Sequence, residues 1–434
     1  MFNPEILIVG AGLAGVAAAT ELARAGHPVL IVDRAARAGG AIHRQPLPGQ
    51  AGVATAAARW NRLIAEAEAL PIRWAFETRF NGVDHQGTAL LTGAENRMLR
   101  PKALILTTGA REAVRPRPGW TLPGVTTAGA AQIQLKTMGA APQGRVVLAG
   151  SGPLLIALGA QMTRLKNPPV AIVEAGRPFA HPLTSLRLPL GYLREAAGYM
   201  ATLLAARVPI LTGTRLAAIR AEGETLVSTL TDGNTSREIV ADMVCLHDGI
   251  RRNDIGLTDC PALSVLRLGD CAEALGARAA LEAGRAGGRA MAQALATGTT
   301  PTAPNSPLLD RERAAQARLA RIYAHDDFAA LHSLPSDTVI CRCEGRTLDD
   351  LRALGPAPRT RELRLLGRFG MGPCQGRFCG EWVARAISDT PQAPVPAHPL
   401  GEPRWPAAPI AVADLHAAAP DTGAAPPHPH GVHE

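Results

Sequence analysis

Two glycine-punctuated segments, about 140 residues apart, constrain this chain more than any other feature: ILIVGAGLAGVAAATELARAGHPVLIVDR from residue 6 and GRVVLAGSGPLLIALGAQMTRLKNPPVAIVEAG from residue 144. Each reads as a buried strand, a glycine turn, an apolar helix and a second strand that ends in a carboxylate, Asp33 in the first and Glu174 in the second. A βαβ grammar that returns in this way predicts an α/β protein with two dinucleotide-type units.

In GAGLAG, Gly10 allows the tight turn, Gly12 lets backbone approach a pyrophosphate, and Gly15 lets helix and strand pack closely. The phosphates then sit on free N–H groups at the positive end of the helix. Asp33 is placed to accept hydrogen bonds from a ribose. The fingerprint alone does not separate NAD from FAD. Two later signals favour FAD: Thr107, Thr108 and Gly109 end a strand with small residues, and Asp270 closes an LGD strand end before a helix. In two-dinucleotide flavoproteins such an aspartate binds the ribityl chain and the helix behind it faces the flavin ring.

In the second unit Gly150 and Gly152 match the fingerprint, but Leu155 stands at the third glycine position, where its bulk should push helix and strand apart. Glu174 is still placed to meet an adenosine ribose. Two readings stay open: a second nucleotide, NAD or ATP in a structural role, and a retained fold with no ligand. The first cysteine of the chain is Cys245, so the dithiol relay of glutathione-reductase-like enzymes is excluded and electrons leaving a flavin need another acceptor.

That acceptor points to the end of the chain. DTVICRCEGRTLDDLRAL supplies Cys341 and Cys343, and MGPCQGRFCG supplies Cys374 and Cys379, a CxC, thirty intervening residues, then CxxxxC. Four thiolates from two loops suit a [2Fe–2S] centre, which needs two cysteines for each iron. Structural zinc sites favour wider knuckles than CxC, yet zinc and a metal-free pair of dithiols remain as rivals. Gly370, Gly372 and Gly376 are expected to let backbone N–H groups reach sulfur, and Arg342, Arg346, Arg368 and Arg377 to offset the thiolate charge. Thr347 and Asp350 form a capping-box pattern behind the first pair.

At 434 residues and 47% hydrophobic, the chain has room for several packed domains. Its formal charge of +8 is spread over scattered arginines, with lysine only at positions 102, 136 and 166, and aromatics make up 3%, a pattern that argues against a nucleic-acid partner. The N-terminus lacks the flanks of a signal peptide, and both long apolar stretches are broken by nucleotide-binding glycines, so a cytoplasmic protein without stable membrane insertion is expected. The expected domains are 1–135 with 241–296 for FAD, 136–240 for the second unit, 297–335 as linker and helix, and 336–390 for the cysteines. From residue 391 on, eleven of 44 residues are proline, which predicts a disordered tail.

The runs GAREAVRPRPGWTLPGVTTAGAAQ, GRVVLAGSGPLL, CRCE and GMGPCQGRFC together resemble the FAD-dependent family that holds the A subunits of opine oxidases with the B subunits of hydrogen cyanide synthases. The α subunits of heteromeric proline and D-hydroxyproline dehydrogenases are similar, and the cysteine region resembles the small domain of bacterioferritin-associated ferredoxin, whose ligand positions match Cys341, Cys343, Cys374 and Cys379. The resemblance covers about residues 1 to 390. It implies a flavoprotein of the Rossmann-like, glutathione-reductase type with a small C-terminal [2Fe–2S] domain, acting as the electron-transfer α subunit of an amino-acid, imino-acid or opine dehydrogenase. A separate flavoprotein subunit would then oxidise the substrate, since no residue here stands out as a substrate base. Asp33 replaces the usual glutamate, and only 21 positions separate Gly249 from Asp270, so a compact flavin domain is expected. Two other functions compete: a stand-alone NAD(P)H-dependent flavin reductase, and a non-enzymatic iron–sulfur module on a decayed flavoprotein scaffold.

Overall fold

The computed structural model describes residues 5–47, 49–50, 58–254, 260, 262–325, 331, 333–388, 395–396, 398–402 and 404–419. The chain opens with β1 (Ile6–Val9), α1 (Leu13–Arg24) and β2 (Val29–Val32), then α2 (Ala58–Glu68) and β3 (Ile72–Ala75). A hairpin layer of β4 (Thr78–Val83), β5 (Ala89–Gly93) and β6 (Arg97–Leu99) leads to β7 (Ala103–Leu106) and the crossing strand β8 (Ala110–Glu112).

The second unit contains β9 (Val125–Thr127), α3 (Ala128–Met138), β10 (Val146–Gly150), α4 (Pro153–Arg164) and β11 (Ala171–Glu174). It continues through α5 (Pro182–Leu186), α6 (Leu190–Ala205), β12 (Ile210–Thr212), the antiparallel β13 (Arg215–Glu222), β14 (Thr225–Thr231) and β15 (Ser236–Ala241), and ends at β16 (Met243–His247). The return crossing is β17 (Ile250–Arg252), followed by β18 (Ser264–Arg267), α7 (Ala277–Thr297) and α8 (Pro307–Ile322). The cysteine region holds β19 (Val339–Cys341), β20 (Arg346–Thr347), α9 (Leu348–Arg352), α10 (Thr360–Leu365) and α11 (Gly380–Ala386), and α12 (Val412–Ala418) follows in the tail.

Two parallel sheets carry the architecture, in strand orders β18-β7-β1-β2-β3 and β12-β11-β10-β16-β9. Their central strands are apolar on both faces because each sheet is covered on both sides, by helices on one and by a three-stranded antiparallel layer on the other (β4–β6 for the first sheet, β13–β15 for the second): Ile6–Val9, Val29–Val32, Ala103–Leu106 and Val146–Gly150 are buried throughout. β1 pairs in register with β2 on one side and β7 on the other, so the chain reverses direction of travel at β1 and the first glycine loop opens at that switch point.

Three sequence expectations are corrected. The unit boundaries move, because β9 pairs in parallel with β16 and both join the second sheet, which therefore runs from Val125 to His247 instead of 136–240. Leu155 does not keep α4 away from its sheet: it is fully buried in the core between them, and the close approach shifts one turn on to Gly159, where a Cβ would stand 2.8 Å from Ile172 Cδ1.

The tail is the third correction. Leu400 is buried in the core of the cysteine domain, the Ala407 N–H donates to the Asn81 carbonyl at 2.7 Å, and α12 packs on β5 and β6. Two apolar residues, Leu400 and Ala418, are buried and give this segment packing that its composition conceals, whereas Trp405 and Val412 stay exposed. Residues 420–434, including the terminal histidines, lie outside the described residues.

Candidate functional site

The first glycine loop is built for a close ligand. Gly10 has φ of 106°, and a Cβ on Gly15 would stand 1.9 Å from the Gly10 carbonyl, so glycine is required at both positions for the turn to lie on the helix. A Cβ on Gly12, by contrast, would meet only the Gly40 Cα, at 3.8 Å; glycine is not needed there by the protein itself, as expected if the space belongs to a phosphate. α1 starts with no side chain capping its first N–H groups. The Thr107 hydroxyl ties β7 to the loop through the Val9 and Gly10 carbonyls, at 2.9 and 2.8 Å.

Asp33 is half-buried at the tip of β2, accepting from the Ala11 N–H at 2.7 Å and the Ala35 N–H at 2.8 Å. Gly109 has φ of 72° with open space beyond it. The compact segment after Gly249 closes on this strand end: β17 pairs antiparallel with β8, the Asn253 N–H donates to Gly109 O at 3.0 Å, and the Thr108 hydroxyl reaches the Asn253 carbonyl. Residues 255–259 and 261 lie outside the described residues. Asp270 accepts from the N–H groups of Leu275 and Gly276, both at 3.0 Å, just before α7, and burial pushes its carboxyl up. α7 in turn lies against α1 through Gly284 and Gly288, where a Cβ would stand 2.3 and 2.7 Å from the carbonyls of Ala14 and Ala18. This glycine stripe was legible in the sequence but is easily lost in an alanine-rich helix.

The second glycine loop is different. Glu174 is 4% exposed, and its carboxylate accepts from the N–H groups of Gly152 and Gly176 and from the Ser151 hydroxyl, at 2.9, 2.8 and 2.6 Å. Gly150 has φ of 144°, and a Cβ there would collide with the His247 carbonyl, to which Ser151 N–H donates at 2.7 Å.

Polar residues that sequence reasoning missed gather where the chain crosses between the units. His247 Nδ1 lies 2.8 Å from a Glu112 carboxylate oxygen, and Asp248 accepts from Arg117 and from the Arg115 N–H. Partners of this kind stand more than 130 positions apart, and the signal available was only the break of an apolar strand by HDG. Lys136, buried on α3, donates to the Ala41 and Ile42 carbonyls of the first unit at 3.0 Å each, and burial lowers its pKa to about 8.

The four sequence-predicted cysteines come together as two pairs, each drawing one member from each loop. Cys341 lies beside Cys379 and Cys343 beside Cys374. Contact with Cys379, opposed by burial and aided by the N–H groups of Glu344, Gly370 and Cys343, holds the Cys341 thiol below its ordinary value, and the same contact pushes the Cys379 thiol up. Among the described residues no three His, Cys, Asp or Glu side chains are already gathered to hold a single ion. A Cβ on Gly372 would stand 2.3 Å from Cys343 Cβ, so this glycine lets the loops close. Gly370 and Gly376 also make room for Leu400 of the tail.

The arginines behave less uniformly than expected. Arg377 lies near Cys374, whereas Arg368 pairs with Glu344 at 2.7 Å and Arg346 with Asp350 at 3.4 Å, so neither of those two serves the thiols alone. The capping box of Thr347 and Asp350 is present.

Two buried tryptophans fix this domain to the crossing segment. Trp120, from the PGWTLPGV run, donates Nε1–H to the Val339 carbonyl two residues before Cys341, and Trp382, three residues after Cys379, donates to the Val114 carbonyl, both at 2.7 Å. Arg251 of β17 adds a two-pronged ion pair with Glu381, at 3.0 Å on both prongs.

Residues 4–267 match the family model of pyridine nucleotide-disulphide oxidoreductases. The chain belongs to that family. It is an oxidoreductase, and FAD is the cofactor that membership implies. The A subunit of opine oxidase from Agrobacterium tumefaciens is 32% identical, over 88% of this chain and 85% of the relative. The HcnB subunit of hydrogen cyanide synthase from Pseudomonas aeruginosa is 30% identical, over 94% and 97%. Both relatives are named as subunits of larger enzymes. Among solved structures, the L-proline dehydrogenase from P. horikoshii shares the fold with a TM-score of 0.60 and 16% identity, over 95% of this chain and 79% of that one. Among the described residues no helix is long and apolar enough to cross a membrane.

Proposed function

We propose that this chain is the cytoplasmic, FAD- and [2Fe–2S]-containing electron-transfer α subunit of a heteromeric dehydrogenase whose partner, a flavoprotein subunit, oxidises an amino acid, an imino acid or an opine. The observation that carries this reading is the arrangement of the four thiols as two contacting pairs, anchored by Trp120 and Trp382 to the segment that joins the two dinucleotide units. Two pairs suit two irons better than a single zinc. A flavin can accept an electron pair, whereas a [2Fe–2S] centre passes electrons singly.

The chain's own residues supply the binding and the alignment. Gly12, the free start of α1, Asp33, Thr108, Gly109 and Asp270 would frame the FAD; Cys341, Cys343, Cys374 and Cys379 would hold the cluster, with the backbone of Gly370 and Glu344 beside the Cys341 sulfur. Subunit naming of the curated relatives supports the heteromeric role.

The test is to purify the chain anaerobically alone and with its co-expressed partner. The expected result is flavin bands and about two irons per chain, with substrate turnover only when the partner is present. Zinc in place of iron, or robust oxidation of proline, hydroxyproline or an opine by the chain alone, would sink this reading. The family's pyridine-nucleotide chemistry, together with the retained Gly150 and Gly152, favours one second reading: an NAD(P)H-dependent reductase fed through the second unit, which rapid anaerobic bleaching of the flavin by NADH would support.

A further inference from the structure

Glu174 is not only satisfied by its own loop; it is roofed by a distant part of the chain. The Ser151 hydroxyl that reaches Glu174 also lies 3.1 Å from the Tyr323 carbonyl, at the end of α8 and 172 positions away. A Cβ on Gly176 would stand 3.0 Å from that same carbonyl, so Gly176 is what allows the backbone at Tyr323 to come down on the strand tip. His325 Nδ1 lies 3.0 Å from the Tyr323 carbonyl on the same turn.

α8 is fastened where it lies. Ser306 caps its start, Leu309 and Ile322 are buried, and the buried Glu312 accepts from the Tyr192 hydroxyl of α6 at 2.7 Å. A ribose bound in the second unit must put its hydroxyls on the Glu174 carboxylate. That carboxylate is closed to solvent, and the Tyr323 backbone stands over it.

We propose that α8 and the turn Tyr323–His325 are a built-in plug of the second dinucleotide unit, so that this unit takes neither a nicotinamide dinucleotide nor ATP unless the plug is displaced. The plug replaces a nucleotide as the filler of the fold. Electrons then have no entry through the second unit, which separates this chain from the reductases that share its architecture. The plug involves neither the cysteine cluster nor a partner subunit, so it stands or falls independently of the proposed electron-transfer role.

The experiment is a calorimetric titration of the full flavin-loaded chain with NADH and, separately, with ATP, comparing wild type with a plug variant carrying Ile322→Ala and Glu312→Ala, which unfastens the end of α8 that brings the Tyr323 carbonyl onto the strand tip. Wild type is expected to show no saturable binding up to about 1 mM, and the variant to gain binding of at least one nucleotide by about tenfold or more. Wild-type binding as tight as the variant's overturns the proposal, as does a variant that keeps its flavin and its circular dichroism yet gains nothing. Hydrogen exchange on wild type gives a readout free of folding defects. The Gly152 and Gly176 amides should be slow to exchange and unchanged by about 1 mM NADH or ATP; added protection at those amides by either nucleotide would contradict the plug.

Discussion

The two dinucleotide units share a grammar and differ in what has become of the carboxylate at the tip of the second strand. Asp33 is half-buried, accepts from the N–H groups of Ala11 and Ala35, and ends a strand beside a glycine loop in which a Cβ on Gly12 would meet only the Gly40 Cα. Glu174 is buried, saturated with hydrogen bonds and covered by Tyr323. A fold that binds nucleotides can thus be kept for its shape after one of its two sites has been turned inward. The glycine pattern alone does not reveal which site has met that fate.

The strongest test of this difference is to crowd each loop with one methyl group. Gly12→Ala fits the protein but not a bound pyrophosphate, so flavin content should fall by about tenfold or more while circular dichroism stays unchanged. Gly152→Ala sits at φ of 127° with His247 only 3.2 Å away, so it should cost about 1–3 kcal/mol of stability yet leave flavin content as it was. The reverse pattern would mean that the roles of the two units have been assigned the wrong way round.

Removing the charges gives the next largest contrast. Glu174→Gln leaves the Gly152 and Gly176 amides facing an amide group where a carboxylate stood, and should lower stability by about 1–3 kcal/mol in denaturant titration, with flavin affinity unmoved. Asp33→Asn should weaken flavin binding by about tenfold with little change in midpoint.

Lys136 joins the units, and its titration reports on their contact. The unfolded chain keeps this proton to the ordinary value of 10.5, while the folded protein gives it up near 8. Between those values the unfolded state binds more protons, so stability rises with pH by at most about 1.4 kcal/mol per unit. Lys136→Met should remove that rise, measured as the slope of unfolding free energy between pH 8 and about 10; an unchanged slope would show that the units are not coupled through this amine. The smallest expected effect is Trp120→Phe, which keeps an aromatic ring but loses the bond to Val339 and should cost about 1 kcal/mol, with faster exchange of amides in the cysteine domain and none in the first sheet.

Local signals in the sequence were read well. The βαβ pattern of residues 6–34 needs only neighbours within one turn or one crossover, and the capping box at Thr347 spans four residues. What escaped depends on partners far along the chain. Val125 gives no hint that it will pair with Val244, nor His247 that it will meet Glu112, so the unit boundary and the polar crossing stayed hidden. Leu155 reads in the sequence as a wedge between helix and strand, yet Gly159 supplies the close approach one turn later. The proline-rich tail misled for a different reason: a few apolar side chains such as Leu400 anchor a segment whose average composition is that of a solvated coil. Which thiol faces which is not legible in the cysteine spacing either, because it is decided by how two loops fold against each other.

The strand order of the first sheet also bears on how this protein is made. β18 is the last strand to join it, pairing with β7 only after the whole second unit has been synthesised. Until Arg267 has left the ribosome, Leu104 and Leu106 belong to an unprotected sheet edge, the kind of surface that seeks a partner in other chains. A chain cut short anywhere in the second unit would therefore be a sticky product, and its fate would rest with chaperones instead of with its own folding.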